Sequence, residues 1–154
     1  MSSVIQGPNL LSPQYVGEYG NVVDMEGYFI ASAASADTAT EIDLITLPEG
    51  TRINSIQLNW SAQGASGTIQ AGWKYANGNA GGSATALLGS TSSVAAGGAT
   101  NTFIPPDLTA LGSSGNSTGV FDSDVIIYLT LGGVIMPSGS EFYLVARGRY
   151  VGTK

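Results

Sequence analysis

Residues 43–60 read DLITLPEGTRINSIQLNW, two apolar runs set around a Pro48-Glu49-Gly50 turn, and this stretch decides the fold class. Its second run alternates, with Ile56, Leu58 and Trp60 on one side and Ser55, Gln57 and Asn59 on the other, as a half-buried antiparallel strand requires. Pro48 fixes one backbone angle and Gly50 supplies the freedom to turn, so the strands at 40–47 and 52–60 are expected to lie side by side.

Working outward, residues 26–34 (EGYFIASAA) read as a strand. Residues 68–75 place Ile69, Ala71, Trp73 and Tyr75 opposite Thr68, Gln70 and Lys74, a second alternating strand expected to neighbour 52–60. Residues 77–98 (NGNAGGSATALLGSTSSVAAGG) have the composition of a flexible linker, within which Ala86, Leu87 and Leu88 argue for one short strand or helical turn. Residues 100–104 form a short strand ended by Pro105-Pro106, and 108–111 suit one helical turn followed by an exposed loop at 112–119. Residues 124–131 (DVIIYLTL) are apolar on both sides, which fits a central strand covered on both sides or, the preferred reading, one face in the domain and the other in an oligomer. The closing strand, 141–151, puts Phe142, Leu144 and Ala146 on one side and Tyr143, Val145, Arg147 and Arg149 on the other.

About eight strands with no amphipathic helix predict an all-β chain, an antiparallel two-sheet sandwich of jelly-roll type. At 154 residues and 43% hydrophobic, one such domain (26–154) buries roughly 70% of its unfolded surface. Residues 1–25, with two prolines, three glycines and little periodicity, read as an extended N-terminal arm that finds order by lying on something else, or as a disordered tail or an irregular first strand.

Composition narrows function by removal. There is no Cys and no His, so the chain lacks the thiolate nucleophile and the commonest general base and metal ligand. No Ser-base-acid constellation can be assembled, no catalytic residue is nominated, and no cofactor is called for. With net charge −6 and five basic residues, nucleic acid is not an expected partner. No apolar stretch approaches the roughly 20 residues that span a bilayer, so a soluble, untargeted chain without a membrane partner is expected. Only 10% of residues are charged, against about 25% in ordinary domains, which suits a surface spent largely against partners.

Several clusters invite a chemical reading. Asp122 and Asp124 form a DxD that, with Asp107, could bind Ca²⁺ through carboxylate oxygens, but a turn and strand-start pair is preferred and no metal site is assigned. Glu18, Asp24 and Glu26 read as ordinary solvated charge. Trp60, Trp73 and Tyr75 could stack on sugar rings, yet both tryptophans share phase with apolar neighbours and read as core. The glycines at 78, 81 and 82 lack the Lys and strand-to-helix context of a phosphate loop. Arg147 and Arg149 share a face and suit pairing with carboxylates of a neighbouring subunit, pairing within the chain with Asp43 or Glu41, or simple solvent exposure.

The segments LITLPEGTRINSIQLNW, SGTIQAGWKYANG and SDVIIYLTLGGVIMPSGSEFYLVARGRY resemble, in order and spacing, small structural proteins of tailed bacteriophages that decorate or cement the capsid. The resemblance covers residues 40–151. It implies a non-enzymatic virion protein on the outer surface of the capsid, with a jelly-roll body, trimeric, that clamps neighbouring copies of the major capsid protein. Under it, the arm residues Val4, Ile5, Leu10, Leu11, Tyr15 and Val16 become the anchors to the partner, since an extended segment can add to a neighbour's sheet edge. The alternative carried beside it is a carbohydrate-binding or host-attachment module of a head fibre or tail.

Overall fold

The computed structural model describes residues 3–7, 22–64, 66–92, 96–103 and 120–152. They form nine strands: β1 Ser3–Gln6, β2 Val22–Ile30, β3 Ala39–Leu47, β4 Thr51–Trp60, β5 Thr68–Tyr75, β6 Ser83–Ser92, β7 Gly98–Phe103, β8 Val125–Gly132 and β9 Glu141–Tyr150. One sheet has the order β1-β3-β8-β5-β6 and the other β2-β9-β4-β7. The antiparallel pairs β2·β9, β3·β8, β4·β7 and β5·β6 are nested, as in one long hairpin rolled across two layers. That connectivity is of the jelly-roll type, and the all-β sandwich expected from the alternation is the fold observed.

The core lies between the sheets. Met25 and Phe29 of β2, Ile56 and Leu58 of β4, and Phe142, Leu144 and Ala146 of β9 face Ile42, Leu44, Ile45 and Leu47 of β3, Ile69, Ala71 and Trp73 of β5, and Ile127, Leu129 and Leu131 of β8. Two bulges make this possible where the sequence does not alternate. On β3 the register shifts between Asp43 and Ile45, which lets Ile42, Leu44, Ile45 and Leu47 all be buried. On β4 it shifts between Ile53 and Ser55, so Ile53 is buried while Ser55 lies opposite the exposed Arg147.

The Pro48-Glu49-Gly50 turn is present: Thr51 N–H donates to Pro48 O at 3.2 Å, and Gly50 sits at φ +82°. The strands it joins are not neighbours, however. β3 lies in the five-stranded sheet and β4 in the four-stranded one, so the turn is an arch across the sandwich. β5 likewise pairs with β6 and β8, not with β4. Alternation reports which side of a strand meets the core, and strands in opposite layers meet the same core, so period alone could not choose the partner.

Two elements are longer or earlier than the sequence suggested. The low-complexity stretch contributes β6, a ten-residue edge strand with Leu87 buried, instead of three strand residues in a linker. β2 begins at Val22 and ends at Ile30, so it starts within residues 1–25 and stops short of Ala34. Within the same N-terminal stretch, β1 pairs in parallel with β3 at the edge of this chain's own sheet, Ile5 opposite Ile42. The expected features at 105–119, Asp107 among them, and the arm residues Leu10, Leu11, Tyr15 and Val16 lie outside the described residues.

Candidate interaction surfaces

The two outer faces of the sandwich differ in how their charges are settled. On the five-stranded sheet, Lys74 of β5 reaches Glu41 Oε1 at 2.5 Å and Asp43 Oδ1 at 2.7 Å, both from β3 across the intervening β8. The Lys74 ammonium also lies 5.2 Å from the ring centre of Tyr128, which is 8% exposed. Burial pushes the Asp43 carboxyl above its ordinary value against the pull of Lys74, and its two acidic partners hold the Lys74 ammonium above its own in spite of burial. The outward Tyr128 of β8 is therefore covered by its own chain, where the sequence pointed to an oligomer as cover.

The outer face of the four-stranded sheet runs across β2, β9, β4 and β7. Of six large hydrophobic side chains exposed among the described residues, four lie here: Val22, Tyr28, Ile30 and Tyr143. Tyr28 is opposite Tyr143, and Tyr143 opposite Asn59, because the alternation of each strand turns these positions away from the core. Together with Ile30, Ser61 and Glu141 they line a hollow of about 400 Å³. Burial and the neighbouring Glu26 carboxylate both raise the Tyr143 hydroxyl above its ordinary value.

Further along the same face, Arg147 Nε donates to Asp24 Oδ1 at 2.7 Å and Nη2 to Oδ2 at 3.2 Å, a bidentate pair between register partners. The Arg147 bond holds the Asp24 carboxyl below its ordinary value. So the partner of Arg147 within the chain is Asp24, while Asp43 and Glu41 belong to Lys74 on the opposite layer. Two residues on, Arg149 is directly opposite Arg52 of β4. Neither makes an ion pair among the described residues, and the Nε of each is buried without a hydrogen-bond partner. Arg52 drew no attention in the sequence because it follows a turn and shares no visible pattern with β9; only the register brings it to Arg149.

The remaining sequence candidates have local roles. Asp124 Oδ1 accepts from Glu49 N–H at 2.9 Å, and Asp122 Oδ1 accepts from the Tyr75 hydroxyl at 2.8 Å, which ties residues 121–124 to the arch and to β5. Among the described residues no group of three or more acidic side chains is placed to hold a metal ion. Trp73 is completely buried, edge-on to Tyr75 and 5.3 Å from Phe121 between ring centres, so Trp60, Trp73 and Tyr75 do not form a stacking platform. Trp60 is half-buried against the core. Of the arm residues, Val4 is exposed beside Glu41 and Ile5 packs on the core.

The geometry thus defines a sandwich of jelly-roll type with one outer face whose lysine is paired with two of its own carboxylates and another left apolar at one end and cationic at the other. No family model matches the chain, and no curated protein matches it by sequence. By structure it is similar to a solved chain described as the capsid of Ralstonia phage GP4, with a TM-score of 0.73 and 13% identity over 99% of this chain and 100% of that one. At that identity the likeness is one of fold.

Proposed function

We propose that this chain is a non-enzymatic structural virion protein that decorates and stabilises a viral capsid from its outer surface, as a homotrimer clamping neighbouring copies of the major capsid protein. The observation that carries the reading is the full-length likeness, in both directions, to a chain described as a phage capsid. The exposed apolar residues of the four-stranded sheet support it, since contiguous apolar surface on a small domain marks a place of contact. Weak contacts of this kind gain strength when an array presents them many times over.

The arm is the second proposed contact. Ile5 fixes its start to the body and Val4 faces outward from the sheet edge, while Leu10, Leu11, Tyr15 and Val16 supply apolar side chains toward the capsid. The test is to mix the protein with capsids assembled from the major capsid protein of the same virus. Ordered density outside the shell, together with greater resistance of the particles to heat and low salt, is the expected result. Particles of unchanged resistance and no added density overturn the reading.

A further inference from the structure

We propose that Arg52 and Arg149 form a carboxylate-binding site through which the outer face of the four-stranded sheet docks on an acidic protein surface. The proposal rests on the structural reading above and names the chemistry of the partner. Two arginines at directly opposite positions on adjacent strands repel, and a buried N–H without an acceptor is costly. The repulsion is relieved by one anion held against both guanidinium groups.

The rest of the charge distribution says why these two arginines are the ones left open. The chain carries eleven acidic and five basic residues. Lys74 and Arg147 are already taken by Glu41, Asp43 and Asp24, so surplus acid was available and none of it within the described residues reaches Arg52 or Arg149. A planar guanidinium matches a carboxylate through two parallel N–H···O bonds. At the other end of the face, Tyr28, Ile30 and Tyr143 border the hollow of about 400 Å³. Tyr143 and Arg149 are six residues apart on β9, which is about 20 Å along a strand. The complementary surface therefore presents Asp or Glu side chains about that far from a large apolar side chain.

The site can be probed without the partner by following the arginine Nε–H resonances in the intact protein while a hexaglutamate peptide, and separately inorganic phosphate, is added. The expected result is that hexaglutamate moves Arg52 and Arg149 but not Arg147, and that Arg52→Gln/Arg149→Gln abolishes the response while unfolding at an unchanged temperature. No movement, or movement with phosphate and none with hexaglutamate, overturns the proposal. In the capsid-binding assay the same double variant is expected to bind about tenfold more weakly and with a shallower salt dependence. Wild-type protein that ignores capsids while its Arg52 and Arg149 still respond to hexaglutamate counts against the virion reading and for the carboxylate site.

Discussion

The Lys74 ammonium sits 2.7 Å from Asp43 Oδ1, as an ion pair and not a well-directed hydrogen bond, on the outward side of the five-stranded sheet. The Asp43 side chain is 4% exposed, so its charge is compensated by lysine and not by water. This pair, with Glu41 beside it, closes one face of the sandwich and leaves the opposite face to carry the unsettled groups.

Removing Lys74 is expected to cost far more than removing an ordinary surface lysine. Lys74→Met leaves a nearly buried carboxylate without its counter-charge, and a loss of about 3 kcal/mol in urea unfolding is expected. Adding Asp43→Leu to that variant restores most of the loss, because an apolar pair needs no desolvation offset. A single-variant loss under about 0.5 kcal/mol, the range of an ordinary surface substitution, would show that water already solvates Asp43.

Two aspartates are expected to titrate on opposite sides of their unfolded value of 3.8, with opposite effects on stability. Asp24 is held low by the Arg147 hydrogen bond, so its contribution is present above 3.8 and is lost as pH falls through its folded value. Asp43 is raised by burial, so the folded chain keeps a proton that the unfolded chain has released, and stability falls as pH rises from 3.8 through its folded value. Carboxyl chemical shifts followed from pH 2 to 7 check the order, and Asp43→Asn is expected to remove only the second window. At the alkaline end Lys74, held up by its acidic partners despite burial, gives stability below 10.5 that is lost as pH rises through its folded value, and Tyr128, raised chiefly by burial, acts with the same sign above 10.0.

Which parts of this were legible in the sequence follows from what a side-chain period can report. The alternation of residues 52–60, 68–75 and 141–150 announced their buried and exposed sides, and Pro48-Glu49-Gly50 announced a turn. Strand pairing was not legible, because a β3 buried on one layer and a β4 buried on the other carry the same pattern as two neighbours. Arg147 and Arg149 could be placed together on an outer face, but the Asp24 that binds Arg147 is 123 residues away, and the Arg52 that meets Arg149 follows a bulge-corrected register. β1 offered only four residues, too short for a period to show.

Two glycines with similar backbones separate conformational strain from steric crowding. Gly50 lies at φ +82° and Gly78 at φ +78°, so either Gly→Ala change costs about 1 kcal/mol from the left-handed backbone alone. A Cβ on Gly50 also falls 2.7 Å from the Tyr150 ring and 2.8 Å from the Gly152 carbonyl carbon, whereas nothing lies within 4 Å of one on Gly78. Gly50→Ala is expected to destabilise by about 2 to 3 kcal/mol and Gly78→Ala by about 1, read from thermal and urea unfolding. Equal losses would mean that the arch yields freely toward β9.

The two tryptophans should report different environments, and with them whether either can serve as a ligand platform. Trp73 is completely buried among Tyr75, Phe121 and the aliphatic core, whereas Trp60 packs at the core's margin with part of its surface exposed. A Trp60→Phe variant, emitting from Trp73 alone, is expected to resist acrylamide quenching severalfold better than a Trp73→Phe variant emitting from Trp60. Trp73→Ala is expected to cost about 4 kcal/mol, as loss of a large core side chain does, while Tyr28→Ser on the outer face changes stability by about 0.5 kcal/mol or less. Because the Trp73 ring has no exposed surface, a sugar that binds the native chain leaves its emission unchanged, and a glycan-induced change in the Trp60→Phe variant would show that the core opens to ligand.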